Sequence, residues 1–100
     1  MGTIYTSGSW RVKAGREDEF VAAWRDLAEW TLAEVPGAIW ATLLRDVEDP
    51  RHFISFGPWE TMQAVEGWRA SAGFQESVGR IREMLESFEP VAAEAVVEVS

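Results

Sequence analysis

The side chains able to do chemistry in this sequence are few, and their types exclude more than they admit. None of its 100 residues is cysteine, so a thiolate nucleophile, a disulfide and a cysteine metal site are all ruled out. The single histidine, His52, rules out a multi-histidine metal cage within one chain. His52 is a candidate general base, histidine being the side chain best suited to that role near neutral pH, although a lone histidine beside Pro50-Arg51 reads more simply as a solvated turn residue. Arg45 interrupts an apolar run. Its fixed fork of donors could hold an anionic substrate oxygen, or it could pair with Asp46, Asp49 or Glu60. Ser55 sits among aromatics and could donate a hydrogen bond to a ligand, but no base stands beside it to make it a nucleophile. The carboxylates fall on the outer faces of helices, where such charge means solvation, and no metal site is expected from them.

The unusual residue is tryptophan, with six (Trp10, Trp24, Trp30, Trp40, Trp59 and Trp68) against one tyrosine. Tryptophan is large and carries one N–H donor, so six of them mean core, interface or pocket. Trp59, between a strand and a helix, could line a substrate pocket or serve as a packing plug. Trp10 and Trp40 could stack on a flat ligand or anchor a dimer interface. Trp24 lies well inside a helix stripe and reads as core. Trp59, Ser55 and Arg45 are the catalytic candidates; Trp10, Trp40, Trp68 and Phe53 are the candidate substrate contacts.

These residues are positioned by a stretch from Glu34 to Thr61. Pro36-Gly37 ends a helix, two apolar runs follow around Glu48-Asp49-Pro50-Arg51, and Trp59-Glu60-Thr61 opens the next helix. The two runs, Ala38 to Val47 and His52 to Trp59, read as a hairpin of strands apolar on both faces. Before it, Thr3 to Val12 alternates with the period of a strand, placing Ile4, Thr6, Gly8, Trp10 and Val12 on one face. Gly8 marks a bulge or a place where a ligand or another backbone comes close. Arg16 to Val35 is helical, with Phe20, Trp24, Leu27, Thr31 and Val35 in one stripe and Glu17, Asp18 and Glu19 in the first turn. After the hairpin, Glu60 to Arg69 is a short helix with Met62 and Val65 inward. A second helix carries Phe74, Val78, Ile81, Leu85 and Phe88 on one face until Pro90 ends it, and Val91 to Val99 is a final strand.

The order β-α-β-β-α-α-β is a split βαβ arrangement, an α+β fold of ferredoxin-like type. It predicts a four-stranded antiparallel sheet with helices on one face, in one domain spanning 1–100. No element remains for the second face, so a homodimer with two sheets packed face to face is the economical solution. The net charge of −8 argues against nucleic acid or an anionic membrane surface as the partner. No apolar run approaches the roughly 20 residues of a membrane span, and no signal-peptide core is evident, so a cytoplasmic location is expected.

The sequence resembles the antibiotic biosynthesis monooxygenase family of dimeric α+β barrel proteins over nearly its whole length. The resemblance is carried by Glu34-Val-Pro-Gly37, the Asp46-x-x-Asp-Pro50 turn, Trp59-Glu60-Thr61, and Trp68-x-x-Ser71-x-x-Phe74. It implies a reaction without metal, flavin or haem, in which the anion of a phenol or hydroquinone reduces dioxygen directly. The protein would supply an apolar pocket for flat rings and a few polar groups that favour the anion. Trp59 matches the tryptophan that these enzymes carry. Ser55 stands where they have asparagine, Val65 where they have tyrosine, and Arg80 is one position from their last-helix arginine. Haem-degrading relatives pair a tryptophan with a histidine ten residues on. Trp68 matches the first, but Val78 cannot ligate iron, so haem breakdown is not expected. Similar scaffolds also serve non-catalytic binding proteins, which stays the alternative.

Overall fold

The structure, a computed structural model, describes residues 2–100. Its elements are β1 (Ile4–Val12), α1 (Glu17–Glu34), β2 (Thr42–Arg45), β3 (His52–Trp59), α2 (Met62–Ala70), α3 (Ala72–Arg82) and β4 (Leu85–Glu94). The four strands form one antiparallel sheet in the order β2-β3-β1-β4, the ferredoxin-like order expected. Among the described residues no helix is long and apolar enough to cross a membrane.

The local signals act where the sequence puts them. α1 carries Glu17, Asp18 and Glu19 in its first turn, and Gly37 just beyond its end adopts φ 95°, a left-handed conformation that glycine tolerates. Thr61 caps α2 by accepting from the Ala64 N–H at 3.1 Å, and Ser71 caps α3 by accepting from Phe74. The helices bury Phe20, Leu27, Val78 and Ile81 against Trp10, Val12 and Phe53 of the sheet. Trp10 is the hub. It stacks on Phe88 with centroids 3.9 Å apart and tilts against Phe20 at 5.4 Å.

Three elements differ from the sequence expectation. β2 begins at Thr42, not Ala38. The Trp40–Ala41 backbone instead lies across Gly57, in space that a side chain there would fill, and only an isolated bridge joins Ala38 to Trp59. The last helix ends at Arg82, and the last strand is Leu85–Glu94 rather than Val91–Val99. Leu85 lies opposite Val12 and Phe88 opposite Trp10, so pairing with β1 outweighs the helical spacing of these residues. Pro90 tolerates strand geometry because β4 is an edge strand. Met62 is exposed instead of inward, while Val65 is fully buried.

One sheet face carries no helix. By strand alternation it presents Tyr5, Ser7, Ser9 and Arg11 of β1, Leu44 of β2, His52, Ile54 and Phe56 of β3, and Val91 of β4. Leu44, Ile54 and Val91 are exposed there.

Candidate active site between the sheet and the helices

The helix-facing side of the sheet is not completely filled. A cavity of about 310 Å³ opens between β1, β3, α1 and α3, with Trp10, Trp24, Trp59, Trp68, Phe74 and Phe88 among its walls. Ser55 and Trp59 line it because strand alternation puts both on the face that also carries Phe53 and Gly57.

Three tryptophan N–H groups at this cavity each meet one hydroxyl. Trp10 Nε1 donates to Ser55 Oγ, Trp59 Nε1 to Thr6 Oγ1, and Trp68 Nε1 to Thr31 Oγ1, each at 2.9 Å. Thr31 Oγ1 also donates to the Leu27 carbonyl at 2.7 Å, so its hydrogen is spent. Ser55 and Thr6 only accept in these pairs, which leaves each with a hydroxyl hydrogen to give a ligand. Gly8 makes the first pair possible. A Cβ there would come 2.8 Å from Trp10 Nε1 and 3.0 Å from both Ser55 Oγ and the Phe88 ring. Gly8 therefore marks a close approach; the register shift of β1 lies further on, between Arg11 and Val12.

Among the described residues the walls hold no aspartate, glutamate or histidine; their charged members are Arg69 and Arg82. The cavity can donate hydrogen bonds and offer positive potential but has no carboxylate or imidazole to take a proton. Among the described residues no group of three or more His, Cys, Asp and Glu side chains converges.

The other predicted residues separate. Trp68 lines the cavity and packs 4.9 Å from Trp59 and 4.5 Å from Phe74. Trp40 is at its rim, edge-on to Tyr5 and Phe56, residues of the helix-free face. Arg45 and Phe53 are not on this cavity. They border a neighbouring recess under α1, where the Arg45 guanidinium lies 5.0 Å from the centre of the Phe53 ring. Val65 is in the core, and Arg80 is exposed. Thr6, Thr31, Arg69 and Arg82 were missed by sequence reasoning. Thr6 shares the alternation of Trp10 and Thr31 the stripe of Trp24, which was the available signal; nothing local distinguishes Arg82 from Arg80.

His52 is neither isolated nor merely solvated. Its Nδ1 lies 2.9 Å from Asp46 Oδ2 and its Nε2 2.9 Å from Ser9 Oγ, on the helix-free face. A carboxylate only accepts, so Nδ1 carries the proton toward Asp46. The chain of groups has the order of a hydrolytic triad, but Ser9 lies within the β1 ladder between Ile54 and Glu89. Its setting supplies no pair of free backbone N–H groups for an oxyanion, which acyl transfer requires.

The family model described as antibiotic biosynthesis monooxygenase matches residues 3–80. No curated protein sequence matches. Among solved structures, SnoaB, a cofactor-independent oxygenase from Streptomyces nogalater, superposes with a TM-score of 0.89 at 20% identity, covering 99% of this chain and 98% of that one. A putative antibiotic biosynthesis monooxygenase from Bordetella bronchiseptica gives 0.84 at 25% identity over 97% and 100% of the two chains. One from Nitrosomonas europaea gives 0.86 at 18% over 100% and 97%. With the fold in agreement and most of its length matched, the chain belongs to the antibiotic biosynthesis monooxygenase family.

Proposed function

We propose that this protein is a cofactor-independent oxygenase of small aromatic or quinol-like molecules. The observation that carries the reading is the tryptophan-walled cavity in which the Ser55 and Thr6 hydroxyls each keep a hydrogen free to donate. Its volume of about 310 Å³ is at the small end of ligand pockets, which suits two or three fused rings. The ring system packs between indoles, which exclude water from the reacting carbons. The Ser55 and Thr6 hydroxyls point their hydrogens at a ring oxygen, where they stabilise the anionic form more than the neutral one. The arginines of the walls add to that preference.

An anthrone illustrates the balance. Its anion gives one electron to dioxygen, the carbon radical and superoxide combine, and the protonated hydroperoxide loses water to leave the quinone. One dioxygen is consumed, one of its oxygen atoms enters the product and the other leaves as water. Since the walls carry no general base, the substrate's own acidity, enhanced by these donors, supplies the anion. The rate then rises with pH along the ionisation of each substrate and not at one fixed pH.

We further propose that the protein works as a homodimer. The helix-free face exposes Leu44 and Ile54 as a cross-strand pair and Val91 on the far side of β1, with Trp40 at its margin, and an identical sheet is a self-complementary cover.

The test is oxygen uptake by metal- and flavin-stripped protein with a panel of dihydroxynaphthalenes and anthrones. Uptake above the buffer rate, with quinone formed in equal amount, is expected for at least one substrate. Binding without uptake across the panel would replace the oxygenase reading with that of a binding protein.

A further inference from the structure

The basic side chains are unevenly committed. Of the nine lysines and arginines, Arg11, Arg16 and Arg51 are in ion pairs, and Lys13 donates to the Glu83 carbonyl. Arg25, Arg45, Arg69, Arg80 and Arg82 make no side-chain hydrogen bond or ion pair among the described residues. Four of these five line the cavity or the recess beside it. In a protein of net charge −8, uncommitted cations gathered around one concavity are a recognition feature, because surplus carboxylates elsewhere could have paired them.

The recess of about 460 Å³ lies between α1 and β2 and shares Trp24, Ala28, Leu32 and Ala41 with the cavity, so the two adjoin. Arg25 and Arg45 border it, against a single acid, Glu29. Arg45 lies over the Phe53 ring, a cation–π contact that favours one placement of its fork of donors and so limits the entropy lost on binding. From these observations we infer that the recess is an anion subsite: the substrate carries a carboxylate on a short arm, which passes Trp24 and Leu32 and is held by Arg45 with Arg25. This rests on the ring-binding role of the cavity and adds the chemical class of the substituent.

The test uses three unreactive product-like probes: a naphthoquinone, the same ring with a carboxyalkyl arm, and the methyl ester of that acid. Binding is followed by titration calorimetry with the wild type, Arg45→Met and Arg82→Met. Methionine keeps apolar packing over Phe53 and removes only the charge and its donors. The wild type is expected to bind the acid at least about tenfold more tightly than the ester, the scale of a hydrogen bond to a charged group. Arg45→Met should abolish that preference without changing the affinity for ester or plain ring, and Arg82→Met should leave the preference in place. Equal affinity for acid and ester in the wild type overturns the subsite while the ring cavity stands. A preference that survives Arg45→Met and vanishes in Arg82→Met overturns it in favour of the cavity rim. Failure of all three probes to bind overturns the ring-binding reading itself.

Discussion

Replacing Ser55 by alanine removes one oxygen, and the structure indicates what that costs. Trp10 is 4% exposed and Ser55 8%, and the indole N–H has Ser55 Oγ as its one partner at 2.9 Å. Stranding a buried donor costs about 1–3 kcal/mol. The hydroxyl borders the cavity, so water can take over part of its role, and the lower half of that range, about 1–2 kcal/mol, is expected. For a chain of this size that corresponds to a fall in Tm of about 4–16 °C. Protein concentration must be the same for every variant, because dimerisation would raise Tm by mass action. Trp10→Phe and the double variant complete a cycle whose coupling energy isolates the bond, expected at about 1 kcal/mol. Ser55→Ala should also lower kcat/KM by about 10- to 100-fold, the loss of a hydrogen bond to a charged oxygen. A stability loss under about 0.5 kcal/mol with no coupling would refute the reasoning, since a surface substitution does as much.

Gly8→Ala places a methyl within 3.0 Å of Trp10, Ser55 and Phe88 and should destabilise by about 1–3 kcal/mol in denaturant titration. Gly79→Ala, in α3 with nothing near its Cβ, should instead stabilise by about 0.5–1 kcal/mol; equal effects of the two would contradict the close approach at Gly8. Asp46 is held below the usual carboxylate range, first by its hydrogen bond with the His52 ring, and Asp49 first by its hydrogen bond from Arg11. A depressed folded pKa contributes stability above the unfolded value of about 3.9 and loses it as pH falls through the folded value. Urea titrations of Asp46→Asn and Asp49→Asn should accordingly show lower stability than wild type near neutral pH and a shallower decline below about pH 4. A wild-type acid slope retained in both variants would point to other carboxylates. Leu44 and Ile54 are paired across β2 and β3 on the exposed face, so Leu44→Asp with Ile54→Glu should turn a micromolar dimer into a monomer in sedimentation. A wild-type monomer at that concentration would remove the basis for the dimer.

The sequence by itself determined the fold class, the order of the elements and which residues of β1 share a face. Those follow from short-range rules. Alternation in β1 puts Thr6, Gly8 and Trp10 on one face, Pro36-Gly37 stops α1, and Thr61 and Ser71 cap the helices after them. Only the tertiary structure decided where the last helix ends. Leu85 and Phe88 stand three apart, a helical spacing, and share one sheet face only through the register shift opposite Arg11 and Val12; their pairing with Val12 and Trp10, more than seventy positions earlier in the chain, settles the matter. The same holds for the site. Pairings of Trp59 with Thr6, Trp10 with Ser55, and Trp68 with Thr31 join residues with no sequential relation, because register and helix docking set which N–H meets which hydroxyl. Arg45 illustrates the division most directly. Its place on an apolar strand left two roles open, a cation for a ligand or an ion-pair partner of Asp46, Asp49 or Glu60. That it stands over Phe53 in a recess beside the cavity, and not within it, depends on how α1 lies across β2 and β3, which no local pattern encodes.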